Sequence, residues 1–187
     1  MNINTTYTKI ITGEDLMETA QHGSTLYPFQ FYYEDLSVFD FNCIEWHWHT
    51  ELEFIYIESG TVTLWIGEDQ FHLTEGNGIF INTKVLHRLY SPSKALIPNF
   101  VFMPSFIAPC DSLIYQKYIL PIISSSLPFL VFHKKVCWQA KVLSIMRQII
   151  SAQDSVLSKE LLTSSLLQNL WLEIFENTDI SYQEEHK

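Results

Sequence analysis

Short apolar runs alternate with turn residues along most of the chain, from about Leu26 to Phe132. The turns recur about every eight to twelve residues, a spacing typical of an all-β sandwich or barrel. The segment Thr61–Leu73 predicts a hairpin of two β-rich runs joined across Gly67. In all, the pattern predicts strands at Tyr27–Tyr33, Asn42–His49, Glu53–Ile57, Val62–Ile66, Gln70–Leu73, Ile79–Asn82, His87–Tyr90 and Asn99–Met103.

The hydrophobic period changes from two to 3.6 after about Lys134, which predicts helices. A first helix places Trp138, Val142, Ile145 and Ile149 on one face. A second helix, with Asp154 or Ser155 as its N-cap, carries a broader apolar stripe. We expect the two helices to form an antiparallel pair behind the strands.

The breadth of the second stripe suggests that it contacts more than one neighbour, since a helix lying on a barrel needs only a narrow apolar face. Two interpretations remain open at this point. The whole stripe can pack inside one subunit, or part of it can form a homodimer interface. The second interpretation predicts dimerisation through Leu162, Leu166, Leu167, Leu170, Trp171 and Ile174.

The pattern divides the chain into four parts. Residues 1–24 form a weakly patterned N-terminal arm, residues 25–132 a barrel, and residues 133–178 the helical segment. The polar residues 179–187 resemble the start of a linker.

Composition narrows the function classes. The chain has 187 residues, 47% of them hydrophobic and 17% charged, which excludes a disordered chain. Its net charge of −10 disfavours direct binding to nucleic acid or to anionic membranes. Prolines interrupt the longest apolar stretches, and the N-terminus lacks the features of a signal peptide. Because the three cysteines are widely spaced, we expect reduced thiols and a cytoplasmic protein with no membrane partner.

The residue types with the most distinctive chemistry lie at His47, His49, Glu53 and His87. Residues i and i+2 of a strand point to the same side, so His47 and His49 project together. Glu53 on the next strand and His87 on a later one can face the same space. Three imidazoles and a carboxylate form a ligand set for a divalent transition metal such as Zn, Ni, Fe or Mn. The alternative is that these side chains only form hydrogen bonds inside the barrel.

The spacing of these residues resembles the cupin superfamily. Its first signature, His-x-His-x3-Glu-x6-Gly, is filled by His47, His49, Glu53 and Gly60, although Phe41 stands where a glycine usually precedes it. The second signature is met in part: Gly76 and His87 are in register, but Asn82 replaces a proline and Lys84 a glycine. The resemblance implies a mainly β, cupin-type jelly-roll barrel followed by two C-terminal helices.

A narrower resemblance is to the N-terminal sensing domains of AraC-type transcription regulators. It implies a small-molecule effector inside the barrel (a sugar is the usual kind), a homodimer formed by the helices, and DNA binding only through a further C-terminal helix-turn-helix domain. The chain is then a sensor and not an enzyme. The stretches that carry this resemblance are Tyr27–Tyr33, Ile44–His49, Gly76–Asn82 and Val85–Arg88.

Strand alternation yields expectations for the pocket. If His47 and His49 point inward, Glu45 does so too, and we expect it to contact the effector together with Tyr32 and Phe102. Trp46 and Trp48 then face outward, where the C-terminal helices can cover them. The remaining histidines are expected at the surface: His22, His72, His133 and His186.

A stand-alone metal-dependent cupin enzyme, of the dioxygenase or isomerase type, is the alternative function. The filled first signature favours it. The departures at Phe41, Asn82 and Lys84 and the similarity to sensor domains argue against it.

Overall fold

A computed structural model describes residues 2–3 and 5–178 of the chain. The predicted linker at residues 179–187 and His186 lie outside them. The strands are β1 Phe29–Asp35, β2 Cys43–His47, β3 Leu52–Tyr56, β4 Thr61–Ile66, β5 Asp69–Thr74, β6 Gly78–Ile81, β7 His87–Tyr90, β8 Leu96–Phe102 and β9 Phe129–Phe132. The helices are α1 Leu120–Ile123, which continues a π-helical turn at Tyr115–Ile119, then α2 Cys137–Ala152 and α3 Lys159–Asn177.

The strands form two antiparallel sheets with the pairing of a jelly roll. β1 pairs with β8, β2 with β7, β3 with β6 and β4 with β5, so the first eight strands are matched from the ends of the series toward its middle. β9 adds to the edge of β6. The prediction of a mainly β, cupin-type barrel followed by two helices is confirmed.

All eight predicted strands are present, with ends that differ by a few residues. The prediction missed β9, because its four residues are all apolar and show no alternation. The predicted cap of the second helix was also wrong: α3 begins at Lys159, after Ser158. Gln153 accounts for part of this difference, since its side-chain amide bonds back to the Ile149 carbonyl and to Thr163, which holds a loop between the helices.

The five-stranded sheet is buried on both faces. On β3, Phe54 and its neighbours two residues away pack toward the helices, while Ile55 belongs to the core inside the barrel. Every residue of β3 is therefore buried. The layer under the helices is built from packed aromatic rings. Five of the phenylalanine side chains in it are fully buried: Phe54, Phe80, Phe100, Phe102 and Phe132.

Helix α3 uses its broad apolar stripe within its own chain. It packs against α2, against the sheet and against the segment that contains α1, where the Trp171 indole donates to the Tyr118 carbonyl at 2.8 Å. The prediction that the stripe residues form a dimer interface was therefore wrong for five of its six members, because they are buried in this chain: Leu166, Leu167, Leu170, Trp171 and Ile174. Leu162 remains 41% exposed.

The C-terminal helices do not cover the two outward tryptophans, contrary to the prediction. They lie on the five-stranded sheet, whereas Trp46 and Trp48 belong to the region of β2 in the other sheet. Trp48 is covered by the N-terminal arm, since its indole donates to the Asp15 carbonyl at 2.8 Å.

The positions that depart from the cupin signatures keep the geometry of the fold. Phe41 and Lys84 stand where glycines are usual, and both adopt positive φ, 57° and 60°. Asn82 replaces the proline and is buried at the end of β6. Its side-chain amide donates to the carbonyls of Ile122 and Leu127, which ties the barrel to the segment before β9.

Within the described residues, no helix is both long enough and apolar enough to span a membrane.

Candidate functional site

The three predicted histidines converge inside the barrel. Ligand nitrogens of His47, His49 and His87 all lie within 4.8 Å of one another, and the three side chains are buried. The Glu53 carboxylate joins them, with Oε2 at 3.4 Å from His49 Nε2 and at 3.1 Å from His87 Nε2. The spatial convergence predicted from the spacing is thus present in the fold.

Backbone carbonyls fix the orientation of each imidazole. His47 Nδ1 lies 2.8 Å from the Glu45 carbonyl, His87 Nδ1 2.8 Å from that of Val85, and His49 Nδ1 3.2 Å from that of Glu51. A carbonyl only accepts, so each Nδ1 carries the proton and, in a neutral ring, each Nε2 presents a lone pair. This outer arrangement is the one that orients histidines for a metal ion.

One pair of atoms in the cluster faces each other without a hydrogen bond. His87 Nε2 and Glu53 Oε2 are both buried without a well-directed hydrogen bond, although they are only 3.1 Å apart. With Nδ1 protonated, these atoms are two acceptors that face each other, and such a pair requires a proton or a cation between them. The donor set therefore fits a divalent metal ion.

Without a metal, protons stabilise part of this cluster. Burial disfavours the charged forms of Glu53 and His49, but the close polar contact and the attraction between their opposite charges outweigh it. These interactions hold the pKa of Glu53 well below its usual range and raise the pKa of His49. His47 differs, because burial and the neighbouring His87 lower its pKa to about 3, so this imidazole stays neutral.

The histidine cluster borders a small, partly open cavity of about 30 Å³, which admits water but is far smaller than the sites of organic ligands. Tyr32 lines it, as predicted from the sequence, and the arm contributes several walls. The lining consists of Tyr7, Ile10, Glu18, His22, Tyr32, Glu34, Ile44, His47, His49, Glu53, Ile55, Leu89, Ile97, Asn99 and Val101.

Sequence reasoning missed the part of this cavity that the arm supplies. His22 was expected at the surface, but it is buried, with Nδ1 at 2.8 Å from the Tyr32 hydroxyl and Nε2 at 3.3 Å from Glu18 Oε2. Its neighbours in sequence show no periodicity that could have indicated this. His72 and His133 are exposed, as predicted.

Glu34 is a second buried carboxyl on the cavity wall. The Tyr7 hydroxyl donates to its Oε1 at 2.5 Å, and the Asn99 amide donates to its Oε2 at 3.0 Å. Burial raises the pKa of Glu34 to about 7, against the effect of these two donors. Alternation could have found this residue, because it lies two positions from Tyr32 on β1.

Two predicted effector contacts point elsewhere. A register shift between Ile44 and His47 breaks the alternation of β2, so Ile44 lines the cavity while Glu45 is exposed and pairs with Arg88 at 3.0 Å. Phe102 lies on the opposite face of its sheet, within the ring stack under the helices. The predicted inward orientation of Glu45 and the predicted pocket position of Phe102 were wrong.

The fold and the cavity define a cupin-type barrel with a histidine-lined interior, completed by a helix pair. Residues 30–171 match the family model described as the AraC-like ligand binding domain. The chain therefore belongs to that family.

The relatives agree with this assignment. The chain is 24% identical over 143 residues to YdeC of Bacillus subtilis (strain 168), described as an uncharacterized HTH-type transcriptional regulator. The match covers 74% of this chain and 48% of YdeC, so the chain spans about half the length of that relative.

Solved structures resemble this chain to different extents. ToxT from Vibrio cholerae matches with a TM-score of 0.54 and 15% identity, over 80% of this chain and 55% of ToxT. An RmlC-like cupin from Shewanella frigidimarina matches with a TM-score of 0.37 and 17% identity, over 41% of this chain and 67% of that one. At these identities, the similarity to ToxT concerns the fold alone.

The burial of Glu34 predicts a distinct pH dependence of stability. The folded chain holds the Glu34 proton up to about pH 7. The contribution of this protonated carboxyl to the free energy of unfolding is therefore present in full below pH 4.5 and is lost as the pH rises through about 7. In metal-free protein, the free energy of unfolding of the wild type should fall relative to Glu34→Gln by on the order of 3 kcal/mol between pH 4.5 and pH 8. Urea unfolding at both pH values measures this difference, with Glu58→Gln as the exposed control. A wild-type-to-variant difference that does not change with pH would contradict it.

Proposed function

We propose that this chain senses a small molecule in its barrel and belongs to a transcription regulator of the AraC type. The observation that carries the proposal is the polar cavity inside the barrel of a chain of the AraC-like ligand binding family. The described relative YdeC, about twice as long as the matched region, is named as a helix-turn-helix regulator. A DNA-binding domain coupled to the barrel supplies the contact with DNA, and such a protein acts in the cytoplasm.

The signal is a shift between two arrangements of the domain. An effector that binds more tightly to one arrangement of the arm or helices stabilises that arrangement. The stabilisation equals the difference between the effector's binding free energies for the two arrangements, typically about 1–3 kcal/mol. The effect on DNA binding cannot exceed that difference. A sugar is one candidate effector.

The coding frame beyond Lys187 provides the direct test. We expect on the order of a hundred further residues with a basic surface and two helix-turn-helix motifs. The affinity of that longer product for promoter DNA should change when a molecule that raises the thermal stability of residues 1–187 is added. DNA affinity that is the same with and without every such molecule would contradict the proposal.

Homodimerisation is a second part of the proposal, now assigned to the outer face of α3. Leu161 and Leu172 are 77% and 52% exposed and lie about three helical turns apart on one side, with Leu162 beside them. Exposed leucines on one side of the helix suit self-association better than the buried residues of α3 do.

Leu161→Glu combined with Leu172→Glu should therefore convert a dimer to a monomer without unfolding it, because the new charges would be buried at the interface. Sedimentation velocity measures the change. Leu113→Glu, at another exposed leucine, is the matched control and should leave the dimer intact. A monomeric wild type, or a double variant that still sediments as a dimer, would refute this assignment.

A metal-dependent enzyme is a second candidate, favoured by the convergence of three histidines and by the unsatisfied His87 Nε2 and Glu53 Oε2 atoms. His47, His49, His87 and Glu53 would hold the ion, which would act as a Lewis acid when bound. In the regulator, the same ion would organise the inner end of the effector site. We propose that the site binds a metal in either case.

Protein purified without chelators and dialysed against Zn²⁺ should retain one ion per chain, as measured by elemental analysis. His87→Ala should lose it because it removes a ligand, whereas His133→Ala, at an exposed histidine, should retain it. A metal-free wild type would exclude the metal proposal and the enzyme with it. Turnover of a small-molecule substrate by zinc-loaded or iron-loaded chain, lost in His87→Ala, would favour the enzyme over the regulator.

A further inference from the structure

The N-terminal arm, residues 5–24, lies across the open end of the barrel. Backbone hydrogen bonds hold it there: Asp40 N donates to the Thr8 carbonyl at 2.8 Å, and Glu18 N donates to the Trp48 carbonyl at 2.9 Å. The Trp48 amide in turn donates to the Leu16 carbonyl at 3.1 Å. The arm is thus paired to the strand that carries His47.

Tyr7 is the arm residue that reaches Glu34 inside the barrel. Its ring contacts Phe39 edge to face, with centroids 5.8 Å apart, and its hydroxyl reaches Glu34. Asn99 occupies the other oxygen of this carboxyl, so Tyr7 completes its hydrogen bonds. Burial raises the pKa of Tyr7, which keeps it a neutral phenol. A hydroxylated ring is therefore already bound at Glu34.

The arm also divides the available space. The inner cavity measures about 30 Å³, and a second hollow of about 200 Å³ lies beneath the arm. Tyr7, Ile10, Glu18 and Tyr32 line both, so they form the wall between the two. Three of these four residues belong to the arm. Because the arm forms most of the larger hollow, that hollow opens when the arm is released. Withdrawal of Tyr7 leaves the space of its own ring beside the inner cavity, which is room for a ligand ring of similar size.

The charges on the wall restrict the ligand. Three carboxyl groups line the inner cavity, those of Glu18, Glu34 and Glu53. Among the described residues that line it, none is a lysine or arginine. A ligand carboxylate or phosphate would add a negative charge beside these groups, and the one imidazole whose pKa is raised, His49, is already paired with Glu53, which disfavours anions. A neutral molecule with a hydroxyl group faces no such penalty.

We propose that Tyr7 occupies the effector's place, and that a neutral ring compound bearing a hydroxyl group binds by displacing Tyr7 from Glu34 and releasing the arm. This inference rests on the proposed sensing function and names the chemical class of its ligand. The effector and the docked arm then exclude each other, because both require the same hydrogen-bonding position on Glu34.

The side-chain analogue p-cresol tests this directly. Tyr7→Ala removes the internal phenol, so the variant should bind p-cresol at least about tenfold more tightly than the wild type does. The variant should also bind p-cresol at least about tenfold more tightly than it binds toluene, which lacks the hydroxyl. The anion p-toluate should not bind measurably. Isothermal titration calorimetry measures all three ligands. Tyr33→Ala is the matched control, because Tyr33 also donates to a glutamate, Glu58, but lies outside the cavity.

Trypsin cleavage after Lys9 reports on the arm itself. Saturating p-cresol should accelerate cleavage of wild-type protein at Lys9 at least about threefold and leave cleavage at Lys134 unchanged. If Tyr7→Ala does not unfold cooperatively, Tyr7→Phe replaces it, and its arm should be cut faster than that of the wild type because the bond to Glu34 is lost.

A folded Tyr7→Ala that binds p-cresol no better than toluene, or a Tyr7→Phe arm cut at the wild-type rate, would overturn the proposal. These measurements need no DNA and no identified effector. Their failure would leave the sensing function to be decided separately by the DNA-binding experiment, and a failure of that experiment would not alter them.

Discussion

The site depends on a sheet that is buried on both of its faces. β3 is the clearest case, since Phe54 packs beneath the helices while Glu53, one residue away, points into the barrel. The helices thus anchor each strand from behind, and the pleat then fixes the direction of the side chains inside. A carboxylate so far from solvent is stable only with partners held in place, and the packed rings under the helices hold them.

The polar interior and the arm are adjusted to each other. Three imidazoles and three carboxyl groups line the small inner cavity, so each polar atom depends on its neighbours for compensation. Tyr7 and His22 supply some of that compensation from outside the barrel proper. The cavity is therefore a joint product of the strands and the arm.

Local patterns predicted the strands and the shared side of His47 and His49, because both follow from period-two geometry. The convergence of His87 with them was predicted from its place in the cupin signature. They failed where contacts are distant in sequence or where the alternation breaks. The irregularity between Ile44 and His47 turned Glu45 outward, and no local signal marks it. His22 was misplaced because its burial depends on Tyr32 and Glu18 meeting across the barrel mouth. The α3 stripe was correctly seen as broad, but its partners lie in the irregular segment near Tyr118.

Phe41 and Lys84 carry a lesson about recognising this fold in other chains. Each adopts a left-handed backbone conformation that costs a residue with a side chain about 1–2 kcal/mol, and Phe41 is 90% exposed, so its side chain recovers little of that cost. Both positions keep the left-handed conformation that glycine adopts most easily, although neither is a glycine. A sequence profile that scores residue types at these positions penalises such a chain. A profile that scores backbone torsion angles would rank it beside chains that have glycine there.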